Sequence, residues 1–314
     1  MPTPLPVVFV DGAFVTSDEA RLSVHANAVS YGTGVFEGIR AGWNERHEQL
    51  YLLDPAAHYD RMQGSARAIG LRLQYGTREL VEATAELLRR GGLRGDGYVR
   101  PLFLLSGESL GVAMEGIETR LSIAAWRMDE AYANPTGVRC LVSSWRRCPD
   151  GVVPVRAKVI GTYAGPALAK SEARAAGCDD AIMLTVDGSV SEATTSNVFL
   201  RRGGTWVTPP VTDDILEGIT RARLLELIGE ALGEPVVERT LDRSELYVAD
   251  EVLLCGTAVE VVPVLEVDRR PVGDGEPGAR TLALQKLLRQ IARREVGQHA
   301  DWTTPVYQPV EVGR

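Results

Sequence analysis

The chain has 314 residues, of which 45% are hydrophobic and 24% charged, and it carries a formal charge of −8. That length and apolar content fit a soluble globular protein with room for two domains. The acidic balance, without a long basic run, argues against nucleic-acid binding, and no 18-residue apolar stretch argues for a membrane-spanning helix.

In chain order, "MPTPLPVVFVDGAF" has neither a charged start nor a long apolar centre, so no signal peptide is expected there. "VVFVDGAFV" sets two apolar runs around Asp11-Gly12 and predicts a hairpin. "YGTGVFEGIR" is glycine-rich, but its G-x-G-x-x-x-G spacing has no long helical pattern after it. A dinucleotide fingerprint is therefore rejected in favour of a turn with a packed Phe36. "QLYLLD" predicts a strand, and Asp54-Pro55 predict the N-cap and first residue of a helix through "PAAHYDRMQGSARAIG". "TRELVEATAELLRRGG" predicts a second helix, with Thr77 as N-cap, Glu79 in the first turn and a stop at Gly91-Gly92. "GYVRPLFLLSG" and "TRLSIAAWRM" predict strands, with Tyr98 and Arg100 on one strand face. The polar "DEAYANPTG" is the expected interdomain linker.

Further on, "GVRCLVSSWRR" and "PVRAKVI" predict strands, followed by a helix through Lys170. "DDAIMLTVDGSVSEATTSNVFLRRGGTWVTPP" predicts three strands with turns at Asp187-Gly188 and Gly203-Gly204. "GITRARLLELIGEALG" predicts a helix beginning just after Gly218. "ADEVLLCGTAVEVVPVLEVDRRPVG" predicts two strands around a tight turn, and "GARTLALQKLLRQIARREVG" a final helix. Grouped strands with interleaved helices point to an α+β class rather than a doubly wound sheet.

Only three of the 34 Lys and Arg residues are lysines: Lys158, Lys170 and Lys286. Arginine keeps its charge under ordinary conditions, whereas a buried lysine can lose its proton and become an amine nucleophile. Lys170 and Lys286 lie on predicted helices and read as solvated surface charges. Lys158 lies among Val153, Val155, Val159 and Ile160, where both a strand-edge charge and a buried amine fit. The helix start at Gly218–Thr220 and the turn at Gly256–Ala258 could each offer backbone N–H groups to an anion, and each also reads as ordinary punctuation. Glu192 is either solvent-facing or, if buried, in need of a cationic partner. Cys140, Cys148, Cys178 and Cys255 form no C-x-x-C pair, and with His only at 25, 47, 58 and 299 no zinc spacing appears. Reduced thiols in a cytoplasm are expected, with Cys255 a small core residue.

Taken in order, "YGTGVFEGIR", "HYDRM", "YVRPL", "LGV", "RAKVIGTY", "DGSVSEATTSNVF", "TPP", "LEGITR", "ADEVLLCGTAVEV" and "PGARTLALQ" resemble the branched-chain amino acid aminotransferases. These are class IV pyridoxal 5′-phosphate enzymes of fold type IV, and the resemblance runs from about residue 6 to residue 310. It implies a two-domain α+β fold of the D-amino-acid-transaminase-like kind. A small N-terminal α/β domain would cover 1–130, a linker 131–137, and a larger β-barrel-like cofactor domain with flanking helices 138–314. A homodimer is implied too, with the site between the domains and a partner-subunit loop, resembling "SGESLGVAMEG", closing it.

Residue by residue, Lys158 matches the lysine that forms the Schiff base and then serves as catalytic base and acid. The resemblance puts Glu192 on the pyridine nitrogen, Tyr163 on the 3-oxygen and Arg61 on the phosphate. Ile219, Thr220 and Thr257 would complete the phosphate contacts. Tyr31, Phe36, Tyr98 and Arg100 match the substrate pocket, with Arg100 facing the distal carboxylate of glutamate or 2-oxoglutarate. Thr257 and Ala258 would receive the α-carboxylate. The implied reaction is ping-pong transamination of L-leucine, L-isoleucine and L-valine with 2-oxoglutarate.

The sequence departs from the family habit near the cofactor. "SEGSGEN" is here "SEATTSN", with Ala193, Thr195 and Ser196. "KxGGNY" is "KVIGTY", with Ile160 and Thr162, and "LTVDG" carries Thr185. "SEATTSNVF" also resembles D-amino-acid transaminases, so a D-amino-acid or (R)-amine transaminase stands as the alternative. An aminodeoxychorismate-type lyase and a non-enzymatic binding protein on the same scaffold stand further off.

Overall fold

The computed structural model describes residues 2–128 and 131–307, so Asp129 and Glu130 of the expected linker lie outside the described residues. The chain opens with β1 (Thr3–Pro4), β2 (Val7–Val10), β3 (Ala13–Thr16), α1 (Asn27–Tyr31), β4 (Gly34–Phe36), β5 (Ile39–Asn44), β6 (Gln49–Leu53), α2 (Pro55–Ala68), α3 (Thr77–Arg90), β7 (Gly97–Leu105) and β8 (Thr119–Arg127). It continues with β9 (Val138–Arg146), α4 (Ala164–Ala175), β10 (Asp180–Leu184), β11 (Val190–Ala193), β12 (Asn197–Arg202), β13 (Thr205–Thr208), α5 (Ile219–Leu227) and β14 (Val236–Glu238). The last elements are β15 (Glu251–Gly256), β16 (Glu260–Val267), β17 (Arg270–Pro271), α6 (Ala279–Ala292) and β18 (Thr303–Pro305). Two compact units result: Met1–Glu130 with Arg289–Arg314, and Ala131–Leu288.

The first unit is built on one sheet in the order β18-β6-β5-β7-β8-β2-β3, with β1 added on β8 and β4 on β7. The β2–β3 hairpin turns through Asp11 and Gly12, both at positive φ, as the Asp-Gly pair predicts. Along β7 alternate residues are buried, Val99, Phe103 and Leu105 among them, which leaves Tyr98 and Arg100 together on the other face. Gly34 lies where an added Cβ would come within 2.7 Å of Leu104 Cβ, so β4 approaches β7 closely enough to require glycine. The glycine-rich stretch is thus packing, not a phosphate loop. Helix α3 starts from Gly76 rather than the expected Thr77: Glu79 reaches back to the Gly76 N–H, and the Thr77 hydroxyl goes to Asp60. Asp54 does occupy the cap position of α2, but in a left-handed conformation without a side-chain cap bond.

The C-terminal segment differs from the expected 138–314 grouping. Strand β18 pairs antiparallel with β6, Tyr307 O accepts a hydrogen bond from Gln49 Nε2 at 2.7 Å, and the Tyr307 hydroxyl donates to Leu93 O at 2.8 Å. Residues 289–314 therefore belong to the first unit.

The second unit carries a sheet in the order β11-β10-β9-β16-β15-β12-β13-β14, with β17 added on β16. Its core is rich in β-branched side chains, including Val142, Ile182, Val198, Val252 and Val264, each worth roughly 1.5–3 kcal/mol when buried. On another face, Ala169 and Ala173 of α4 pack with Cys178, Ala181 and Met183, and the small alanines let the helix lie close to β10.

Three local expectations are corrected here. The stretch "PVRAKVI" is not a strand. Pro154 has no N–H for a ladder, and Ala157 N, Val159 N and Tyr163 N instead bond Pro154 O, Ala157 O and Ile160 O in successive turns. The predicted middle strand breaks into β11 and β12 at a tight turn closed by Ala193 N to Ser196 O at 2.7 Å. Lys170 is no solvated charge, since its Nζ lies 2.8 Å from the buried Asp180 carboxylate. Asp180 also accepts from Thr194 Oγ1 at 2.6 Å, which fixes the chain just beyond Glu192.

Candidate active site

In the second unit, Lys158 sits in the turn that leads into the short 3₁₀ segment Gly161–Tyr163 and then α4. Its Nζ donates to Tyr163 Oη at 2.7 Å. The five-residue spacing brings amine and phenol together because the intervening chain is coiled rather than extended. Thr162 helps to hold that coil: its hydroxyl donates to Val159 O at 2.8 Å. The departure from the family's usual residue at this position therefore supplies a bond of its own.

Glu192 is buried on β11, with its carboxylate held from two sides. Arg147 Nη2 lies 2.6 Å from Oε1. Oε2 accepts from Asn197 Nδ2 at 2.9 Å and from Leu216 N at 3.1 Å. The sequence required a cation beside a buried Glu192, and Arg147 is one within the protein itself. Asn197 also bonds Leu216 O at 3.0 Å, and its Oδ1 lies where a Cβ on Gly218 would be. The carboxylate is therefore tied to the chain that starts α5, where Ile219 and Thr220 present N–H groups without helical acceptors.

Two more ties draw the lysine's segment to the same place. Asp150 N bonds Asp214 Oδ1 at 3.1 Å, and Arg156, two residues before Lys158, pairs with Glu217 at 3.2 Å. The turn carrying Thr257 and Ala258 joins β15 to β16 between Gly256 and Glu260. An added Cβ on Gly256 would lie 3.3 Å from Thr195 O and 3.5 Å from Ser196 Oγ, so this turn rests on the "ATTS" tract. The Ser196 hydroxyl is buried without a protein partner. Burial pushes the Cys255 thiol far above its ordinary value, which suits a core residue and not a nucleophile.

In the first unit, Arg61 of α2 meets Glu37, a residue inside "VFEGIR" to which the sequence assigns no role. Arg61 Nε and Nη2 lie 2.7 and 2.8 Å from the two Glu37 oxygens, a bidentate pair that fixes the guanidinium plane. His58 Nδ1 is 2.8 Å from the same carboxylate. Burial alone would raise the Glu37 carboxyl, but Arg61 and His58 together hold it well below the usual carboxylate range. Burial dominates at His58 and lowers its pKa despite Glu37, so the ring is a neutral donor. The unfolded chain therefore takes up a proton near pH ~6.5 that the folded chain refuses. Stability is full above that pH and falls below it, by at most about 1.4 kcal/mol per pH unit for this one group. Melting curves between pH 7.5 and 5.5 are expected to drift downward for the native chain and to flatten for His58→Gln; equal slopes would contradict the assignment.

Three of the four residues expected to line a substrate pocket, Phe36, Tyr98 and Arg100, form a second cluster in this unit. The Arg100 guanidinium stands 4.8 Å from the Phe36 ring centroid and its Nη2 bonds Tyr98 Oη at 3.1 Å. Gly38 leaves room for Tyr98, since a Cβ there would meet the phenol. Arg100 Nε is buried without a protein partner, as a donor kept for a ligand acceptor would be. Tyr31 is elsewhere engaged: its hydroxyl donates to Leu110 O at 2.6 Å in the 107–111 loop, and Asn27 Nδ2 bonds Gly111 O at 3.0 Å.

A half-buried lysine–tyrosine pair, a buried carboxylate with three donors and two anion-ready backbone segments within one unit fit a pyridine ring bearing a phosphate. Comparison with known proteins agrees. A family model described as amino-transferase class IV matches residues 34–267. A probable branched-chain-amino-acid aminotransferase of Aquifex aeolicus is 42% identical over 299 residues, covering 95% of this chain and 96% of that protein. Among solved structures, the branched-chain aminotransferase of Thermoproteus uzoniensis with norvaline superposes with a TM-score of 0.92 at 38% identity, covering 98% of this chain and 100% of that one. The branched-chain amino acid aminotransferase of Thermobaculum terrenum in its PLP-bound holo form gives 0.92 at 32% identity, over 97% of this chain and 99% of that one.

Proposed function

The chain belongs to the class IV aminotransferases, and from that premise we propose that it transfers the amino group of L-leucine, L-isoleucine and L-valine to 2-oxoglutarate with pyridoxal 5′-phosphate. When bound, the cofactor supplies an aldehyde carbon for the amino group and a pyridinium ring that takes up electrons as Cα–H breaks. Lys158 Nζ would hold the cofactor until the donor's amine displaces it; the freed amine would then take the proton from the donor's Cα and hand it to the cofactor's former aldehyde carbon, with Tyr163 Oη 2.7 Å away to steady it. Glu192 would accept the ring-nitrogen proton's hydrogen bond. In the second unit Ile219, Thr220 and Thr257 would bind the phosphate, a role that the family resemblance also gives to Arg61. Thr257 and Ala258 receive the substrate α-carboxylate.

The Phe36–Tyr98–Arg100 cluster carries the substrate assignment. One wall offers aromatic surface to a branched side chain and a guanidinium to the distal carboxylate of 2-oxoglutarate, the two demands of a ping-pong enzyme. A homodimer is part of the same reading. Leu110 is 96% exposed, and Val24, Val29 and Val112 are also exposed around the Tyr31-bonded loop, a patch suited to cover by a second copy. The four free cysteines suit a reducing cytoplasm, and among the described residues no helix is long and apolar enough to cross a membrane.

A donor panel with 2-oxoglutarate tests the reading. The three L-branched donors should be turned over with kcat/KM at least about 100-fold above D-alanine and an (R)-amine, the discrimination available when polar groups of the wrong hand are left unpaired. The reverse order would favour the D-amino-acid reading that "SEATTSNVF" raises. Pyruvate release without an acceptor would favour a lyase.

A further inference from the structure

Arg147 lies one residue beyond β9, and Glu192 lies on β11, with β10 between the two strands. The arginine therefore reaches across one intervening strand, a span of roughly 10 Å at ordinary strand spacing. Its backbone is fixed by Arg147 N to Leu184 O at 2.8 Å, and its Nε donates to Asp214 O at 3.2 Å. Nη2 then meets Glu192 Oε1 at 2.6 Å, with both side chains less than a tenth exposed. Glu192 is at the same time bonded by Asn197 and Leu216 on Oε2. Asp214 and Leu216 belong to the segment that runs directly into the Gly218 start of α5. One guanidinium thus bridges the carboxylate and the approach to the phosphate-binding helix.

We propose that Arg147 is a positioning residue for the cofactor: it fixes the Glu192 carboxylate and the 214–218 segment in one arrangement before the cofactor binds. This rests on the assignment of Glu192 to the ring nitrogen given above. A buried carboxylate with no counter-charge would take a proton or turn towards solvent, and in either state it is a poor partner for a pyridinium. The guanidinium of Arg147, 2.6 Å away, supplies that counter-charge. The fork, with Nε on Asp214 O and Nη2 on Glu192, fixes its plane, which an ammonium point charge does less well. A purely structural salt bridge would stabilise the fold and leave the cofactor's binding and spectrum unchanged, so the two roles separate by experiment.

The test is a double-mutant cycle on the full chain with Arg147→Met, Arg147→Lys and Glu192→Gln. Apoenzyme is titrated with pyridoxal 5′-phosphate, the visible spectrum of the loaded enzyme is recorded, and kcat and KM for L-leucine are measured beside the melting temperature. Arg147→Met should weaken cofactor binding at least tenfold, change the visible band, and lower kcat at least tenfold with KM within about twofold. Arg147→Lys should recover part of the affinity. In the Glu192→Gln background, Arg147→Met should have no more than a twofold further effect on cofactor affinity. Equal effects of Arg147→Met in both backgrounds, or an unchanged dissociation constant and spectrum with only a lower melting temperature, overturn the proposal. If Arg147→Met does not fold, the same cycle with Arg147→Lys gives the same readout. A native chain that binds no cofactor would instead overturn the functional assignment itself.

Discussion

Lys158→Ala is expected to lower L-leucine turnover by at least about 10³-fold, because proton transfer by a positioned group alone contributes roughly 10²–10⁴-fold and, on the proposed assignment, its amine also holds the cofactor. The fold should survive. Lys158 lies in a turn closed by backbone bonds, and Tyr163, to which its amine donates, is itself only partly buried. A melting temperature within a few degrees of the native value is expected. Borohydride treatment of the loaded native enzyme should attach the cofactor's mass to the Lys158 peptide, and the variant should carry no such label. Turnover at the native rate in Lys158→Ala, or a label elsewhere in the chain, would end the assignment.

Why the lysine is recognisable in the sequence and its surroundings are not is a matter of locality. Scarcity singles Lys158 out, and Tyr163 lies only five residues on, so the pair depends on a few local dihedrals. Its secondary structure is misleading because Val and Ile at 153–160 favour strands by composition, while Pro154 and the Asp150–Asp214 bond fold the segment into turns. The hairpin at Asp11-Gly12 and the alternation of β7 are legible because each is a local pattern with a local cause. Glu37 is not, because its partners His58 and Arg61 come from a helix 21 and 24 residues on, whose docking no local pattern records. Arg147 is the extreme case. Among so many arginines only the β11-β10-β9 order distinguishes it, and that order is a tertiary fact. Thr162 and Ser196 stand out in the sequence as departures from the family habit, and Thr194 lies unremarked in the same "SEATTSN" tract. Only the structure tells a hydroxyl bonded to backbone from one bonded to Asp180 or left without a protein partner.

Glu192→Gln carries the second large expected effect, and it acts on chemistry and stability together. A carboxylate offers two acceptor oxygens, and both are used here, one by Arg147 and the other by Asn197 and Leu216. An amide of the same shape has one acceptor oxygen and two N–H donors. Whichever way it turns, its NH₂ faces either the Arg147 guanidinium or the Asn197 and Leu216 N–H groups. Arg147 is left buried without its counter-charge, which costs about 3–5 kcal/mol when one partner of a buried pair is removed. The apoenzyme should therefore melt several degrees lower. On the proposed assignment the ring-nitrogen proton also loses its acceptor, and kcat should fall at least about 100-fold, equivalent to about 2.7 kcal/mol of transition-state stabilisation, with KM for L-leucine little changed. Glu192→Asp keeps the charge but shortens the reach by one methylene, so it should restore the melting temperature further than it restores kcat. A Glu192→Gln enzyme with native kcat would show that the buried carboxylate serves the fold alone.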